Sequence, residues 1–285
     1  MFIYKERGKR HSYELDENAM TGVTTVLSYG GSTENLQQWG NNLSAAQAFR
    51  LGAPAGFVEA LEKAIANDQD KKLSTRVAQS LDKEFPAWKE ARTWPGKIAM
   101  DAARLGTEAH EICELYERGT VDLSKYSEQA LRRAEAYITW FKQNIQKTHF
   151  VEMPLFSKSL FLGGTPDGGF LMNDGRSFIN DKKFKAGIYD PKPFMQMAAY
   201  RMMIEEMSQD SETPMRLEWA DGTVNEYASP QEYLKAIGAI SWDGSVVILI
   251  GDDCKVQPMY RYAYEEDKEA FLACMRIYRH FNNYK

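Results

Sequence analysis

The sequence predicts an α/β fold: a mixed central β-sheet flanked by helices, with a mainly helical N-terminal region ahead of it. Three observations predict this. From Ser32 or Thr33 to about Gly119 the apolar spacing is helical, punctuated by Pro54, Pro86 and Pro95. Beyond a further helix at 128–146, the pattern turns to short strand-like runs separated by turn residues. From there the order helix, three strands, helix, strand suits a sheet covered by helices. The expected division is a helical region at 1–145 and a sheet-bearing core at 146–285, with 210–242 as an insertion into that core.

Taken in order, the chain opens on short extended segments at Tyr13–Leu15 and Val23–Leu27. Ser32 or Thr33 then caps a helix, with Glu34 in its first turn. Phe150–Ser157 reads as the first core strand, and Thr165–Met172 with Ser177–Lys185 as a hairpin across Asn173-Asp174-Gly175-Arg176. Pro191–Met207 is a helix whose leading proline costs little, because the first N–H has no helical partner. Met215–Tyr227 forms a second hairpin turning at Asp221-Gly222, followed by a short helix at Pro230–Gly238. Ser245–Ile250 is apolar almost throughout and so reads as a central, buried strand. Val256–Tyr262 is a further strand, and Glu265–Tyr284 the closing helix.

Composition narrows the class. With 285 residues and 44% hydrophobic side chains, the chain can bury a core without staples and is not generally disordered. The net charge of -5 does not announce a nucleic-acid binder. A binding groove, however, needs only a local cationic lining, and carboxylates that hold a cation lower the total. Cys113, Cys254 and Cys274 lie far apart with no CxxC pair, which predicts a reducing setting and excludes a four-cysteine iron–sulfur cluster. The charged N-terminus predicts no secretory signal, and no apolar run has the length of a membrane span.

Chemistry gathers in the hairpin, at Gly164-Thr165-Pro166-Asp167-Gly168 and Asp181-Lys182-Lys183. A three-residue loop, Asn173-Asp174-Gly175, with the glycine left-handed, pairs residues whose numbers sum to about 348, so that Asp167 faces Asp181. Lys183 then shares their face and Lys182 takes the other, so exchange of Lys182 is expected to be mild. A two-residue Asp-Gly loop instead slips the register by one and turns Asp167 to the opposite face. The sequence admits both. Two close carboxylates repel unless a cation joins them, and Mg²⁺ takes a carboxylate or two together with water and phosphate.

Four motifs in order resemble those of the PD-(D/E)XK nuclease superfamily, in its RecB-like exonuclease branch. They are Gly106-Thr107-Glu108-Ala109-His110 in a helix, Gly164-Thr165-Pro166-Asp167, Asp181-Lys182-Lys183, and Gln196-Met197-Ala198-Ala199-Tyr200 in the next helix. Val23-Thr24-Thr25-Val26-Leu27 with Trp39 is similar to phage and bacterial members as well. The likeness runs from about residue 20 to the end and is strongest over 104–205.

The resemblance implies a restriction-endonuclease-like core and a metal-dependent DNA exonuclease, of the phage or bacterial recombination, repair or processing kind. It would act in the cytoplasm, or in the host cell if phage-encoded. His110, Asp167, Asp181 and the backbone carbonyl of Lys182 would hold one or two Mg²⁺ or Mn²⁺ ions. Lys183 would align the attacking water, and Gln196 and Tyr200 would brace the site, Tyr200 also meeting DNA. The N-terminal region would wall the DNA channel. Lys185 and Lys192 could meet phosphates, and Glu152 in Val-Glu-Met-Pro takes a supporting role. Arg132 and Arg133 read as a solvated helix face, while His11, His149 and His280 match no motif and read as structural. The missing cysteines set the chain apart from cluster-bearing relatives. Its rivals are a structure-specific endonuclease, a catalytically idle DNA-binding module on the same fold, and a protein unrelated to nucleic acid.

Overall fold

The three-residue turn Asn173-Asp174-Gly175 is the local feature that fixes the hairpin at the centre of the protein. In the computed structural model Gly175 has φ +88°, its N–H bonds the Met172 carbonyl at 3.0 Å, and the Met172 N–H bonds that of Arg176 at 2.8 Å. This closes β8 (Gly168–Met172) onto β9 (Ser177–Lys183) with Gly168 opposite Asn180 and Phe170 opposite Phe178. The longer of the two turns admitted by the sequence is therefore the one formed. The structure describes residues 1–8, 10–30, 81–120, 122–185, 187–188, 190–238 and 242–282, with scattered positions between 40 and 66. Ser32, Thr33, Glu34, Trp39 and Pro54, which figured in the sequence reading, lie outside the described residues.

The hairpin belongs to a five-stranded mixed sheet in the order β13-β12-β9-β8-β5. β5 (Ile145–Val151) and β13 (Val256–Arg261) form its edges, and β12 (Gly244–Ile250) lies between β13 and β9. β12 runs parallel to β9, and the other pairs are antiparallel. β12 is the central buried strand that its apolar run predicts: Val246 to Ile250 are all buried.

Two helical layers cover this sheet. On one face lie the part of α3 (Pro86–Glu117) from residue 105 onward and α4 (Glu128–Asn144), whose Ile112, Cys113, Ala134 and Tyr137 pack with Phe170, Phe178 and Ile248. On the other lie α5 (Lys192–Met207) and α7 (Tyr264–Asn282), whose Met197, Met203 and Phe271 pack with Ile179 and Val247. The α/β reading of a mixed sheet between helices thus holds. Among the described residues no helix is long and apolar enough to cross a membrane.

A second five-stranded sheet, β11-β10-β1-β2-β3, is not foreseen from the sequence. β1 (Phe2–Arg7) pairs with β2 (Arg10–Leu15), which pairs with β3 (Asn18–Ala19). The hairpin of β10 (Met215–Glu218) and β11 (Val224–Tyr227) turns at Gly222 as expected. Its β10 then pairs in parallel with β1, so that Phe2 meets Met215. The α6 helix (Pro230–Ile237) follows, capped by the Ser229 hydroxyl, which accepts the Glu232 N–H at 3.2 Å.

Two further readings need correction. Val23–Leu27 is not extended but a short helix, α1, which follows β4 (Thr21–Gly22) and buries Val23, Val26 and Leu27. Its β-branched composition favours a strand, and tertiary burial overrides that weak preference. Phe150–Ser157 is not one strand. Glu152, at φ +50°, ends β5, and β6 (Leu155–Ser157) instead pairs with β7 (Leu162–Gly164).

Contacts divide the chain into two compact units, Met1–Gly31 with Leu105–Lys285, and Ser32–Arg104. In the second unit, Phe57 of α2 (Phe57–Ala66) packs on Phe85 and Trp88, with ring centroids 5.2 Å away in both cases.

The left-handed turn yields a test. Gly175→Ala should destabilise the protein by about 1–2 kcal/mol, the cost of a Cβ in that conformation. A urea denaturation midpoint indistinguishable from wild type would show that the turn does not hold the register.

Candidate metal centre beside the central hairpin

The register brings three donor groups together from three elements. His110 comes from α3, Glu152 from the residue that follows β5, and Asp167 from the residue that precedes β8. One ligand atom from each lies within 4.8 Å of the others. His110 Nε2 is 3.0 Å from Asp167 Oδ2 and 3.9 Å from Glu152 Oε1. Asp167 Oδ2 also accepts the backbone N–H of Lys182 at 2.7 Å, and the Glu152 N–H bonds the Asp167 carbonyl at 3.2 Å.

These spacings suit a divalent cation as well as they suit a hydrogen bond. Neighbouring ligands of an octahedral ion with bonds of about 2.1 Å lie about 3 Å apart. A mixed set of imidazole and carboxylate donors is one that Mn²⁺ accepts readily, while Mg²⁺ prefers the oxygens.

The electrostatics point the same way. Burial, reinforced by the charges of Asp167 and Glu114, pushes the Glu152 acid well above the usual carboxylate range. Burial also works against the Asp167 carboxylate. There, His110 (by charge and hydrogen bond) and the ammonium groups of Lys183 and Lys182 prevail and hold it well below that range. Asp181 is pushed up to about 6, by burial and the Asp167 charge against the pull of Lys183. A cation would relieve the strain on both raised acids.

Asp181 and Lys183 stand beside this group on β9. Lys183 Nζ donates to Asp181 Oδ1 at 2.7 Å, while the buried Asp181 Oδ2 has no hydrogen-bond partner among the described residues. Such an orphaned buried oxygen is what a cation ligand looks like when no cation is bound. The compact triad of donor atoms nevertheless comprises Glu152 rather than Asp181. Glu152, given only a supporting role from its sequence context, is the donor that sequence reasoning undervalued. Lys183 is half-buried, which disfavours its charge, but Asp181 and Asp167 raise its pKa and keep it an ammonium.

Lys182 points the other way, as strand parity requires. Its side chain is wholly buried and donates to Glu117 Oε1 at 2.7 Å, which also accepts the Tyr137 hydroxyl at 2.7 Å. Glu117 lies seven residues, two helical turns, beyond His110 on α3. The pair therefore fixes α3 against β9 at the place where His110 meets Asp167. The expectation that exchange of Lys182 is mild does not survive this geometry, because Glu117 would be left charged and buried.

The glycine and tyrosine motifs interlock. A Cβ on Gly164 would overlap the Tyr200 ring, so Gly164 is the space into which Tyr200 packs. The Tyr200 hydroxyl accepts from Gln196 Nε2 at 2.8 Å. Beyond β9, Lys185 is exposed, and Lys192 opens α5. Arg132 pairs with Glu128 at 2.7 Å on a solvated face, but Arg133 is buried and paired with Asp252, contrary to the sequence reading. His149 sits edge-on to Trp242 and His280 edge-on to Phe281, while His11 lines a pocket beside the site. No protein-family model matches the chain, and no curated protein matches it in sequence.

The buried pair gives a sharp contrast. Lys182→Ala should cost about 3–5 kcal/mol by stranding Glu117, and Lys182→Met with Glu117→Leu should recover most of it. Chemical denaturation of the two variants checks this. An unchanged midpoint for Lys182→Ala would mean that the pair does not hold α3 in place.

Proposed function

We propose that this chain is a divalent-metal-dependent deoxyribonuclease, an exonuclease hydrolysing phosphodiester bonds on a restriction-endonuclease-like core. The observation that carries the reading is the donor triad His110, Glu152 and Asp167 beside the Asp181–Lys183 pair. That juxtaposition also supports the resemblance to PD-(D/E)XK nucleases of the RecB-like branch, whose motifs supply four of these five residues. The expected setting is phage or bacterial DNA recombination, repair or processing, in a bacterial cytoplasm.

In this reading His110, Glu152, Asp167 and the orphaned oxygen of Asp181 hold one or two Mg²⁺ or Mn²⁺ ions. The bound ion would polarise the phosphate and lower the pKa of a water. Lys183 remains an ammonium between Asp181 and solvent. It therefore orients a water and stabilises charge developing on the phosphate, and does not accept a proton. Gln196 and Tyr200 hold the Gly164–Asp167 segment in place from below, and Lys185 and Lys192 supply positive charge for the DNA backbone.

Cleavage of end-labelled linear DNA beside closed circular DNA, with Mg²⁺, Mn²⁺ or EDTA, tests the reading. Linear DNA should be degraded with either metal and spared in EDTA, while circular DNA should resist. Cut circles would indicate an endonuclease, and intact DNA throughout would favour an idle binding module. Lys183→Ala should lower turnover by about 10²–10³ with little change in DNA or Mn²⁺ affinity, as befits loss of a contact made in the transition state. Asp167→Asn should lose Mn²⁺ affinity as well, which calorimetric titration reads directly. Full cleavage by Lys183→Ala would remove that residue from the mechanism.

A further inference from the structure

We propose that the pocket next to the donor triad seats a single unpaired nucleobase, the one flanking the phosphate to be cut. The substrate so named rests on the nuclease reading above. The pocket holds about 460 Å³, a size suited to one nucleoside. Its lining includes Gly163, Gly164 and Thr165, the residues that lead directly to Asp167. Both glycines are bare because a Cβ on either would overlap a tyrosine ring, Tyr13 at Gly163 and Tyr200 at Gly164. A stretch of main chain flanked by two aromatic rings is the result. The Tyr13 hydroxyl is tied to Thr165 Oγ1 at 2.8 Å, which holds the β2 wall against that stretch.

Charge decides what kind of group enters. Among the described residues, neither lysine nor arginine lines the pocket. The one carboxylate among these lining residues, Glu14, is neutralised by Lys5 Nζ at 2.9 Å. A phosphate wants free cations, but the lining imidazole of His11 is pushed toward its neutral form by burial, and the nearby Lys5 is committed to Glu14. The lining offers instead the hydroxyls of Ser12, Thr24 and Thr25 and the Gln196 amide, donors and acceptors that any base edge can use. A neutral, flat, hydrogen-bonding group is what this surface accepts. The charges of Asp167 and Asp181 help to raise the Tyr200 pKa, chiefly a result of burial, so this wall stands next to the carboxylates. A base held here would leave its phosphate on the side of the metal ligands. Because the seat takes one base alone, the nucleotide must be unpaired, which directs the enzyme to single strands and frayed ends.

Two measurements test the seat. Saturation-transfer NMR with thymidine, which has no phosphate, reads binding without hydrolysis. The base protons should receive saturation in the wild type and lose it in Ser12→Trp and Thr24→Trp, two exposed positions where a large ring fills the space and leaves the fold intact. Steady-state hydrolysis with Mn²⁺ then compares thymidine 5′-(4-nitrophenyl phosphate) with methyl 4-nitrophenyl phosphate. The thymidine ester should have a KM lower by about tenfold, the worth of one seated base. Ser12→Trp should erase most of that advantage. Absence of saturation transfer, its persistence in both variants, or one common KM for the two esters would overturn the seat. Thymidine binding that the tryptophans abolish, with neither ester nor DNA hydrolysed, would uphold the seat and overturn the nuclease reading instead.

Discussion

Between α3 and β9 a lysine and a glutamate with almost no exposure face each other at 2.7 Å, and the site depends on that pair. Charged groups so deep in a protein are held only by each other and by added hydrogen bonds, here from Tyr137. The pair is therefore intolerant of displacement. It sets how far α3 can slide along the sheet, and hence where His110 stands. It also pins Lys182, whose backbone N–H bonds Asp167. A single residue thus fastens the helix through its side chain and the carboxylate through its main chain. Strand parity sends its neighbours Asp181 and Lys183 to the opposite face. The two faces of β9 are thus unlike: one holds the buried ion pair with α3, and the other carries Asp181 and Lys183.

Much of this was legible because it is local. The turn Asn173-Asp174-Gly175 contains a glycine where a left-handed residue is required, and from that the pairing of Gly168 with Asn180 follows by counting. The apolar run at β12 and the Gln196–Tyr200 spacing are equally local. Glu152 was not legible in the same way. β5 carries two register shifts against β8, between Ile145 and Lys147 and between Thr148 and Phe150. Each bulge reverses the alternation of side chains, so counting along the strand loses the direction in which its end points. The positive φ at Glu152 turns it once more.

Long-range pairing was the other gap. β1 and β10 are joined in parallel from distant parts of the chain, and nothing in either short pattern names its partner. The segment 210–242, an insertion by sequence, thereby completes a sheet with the N-terminal strands. That sheet supplies Tyr13, which packs on Gly163 and bonds Thr165. A region without a motif of its own thus shares a sheet with a wall of the pocket beside the donor group.

The proposed chemistry requires that His110, Glu152 and Asp167 form a cation site. Anomalous scattering at the manganese edge, from crystals grown with Mn²⁺, tests it most directly. The expected result is a peak bonded to His110 Nε2 and to carboxylate oxygens of Glu152 and Asp167, with Asp181 adjoining. A well-ordered site in which His110 keeps its 3.0 Å contact to Asp167 and no anomalous peak lies among these residues would contradict it.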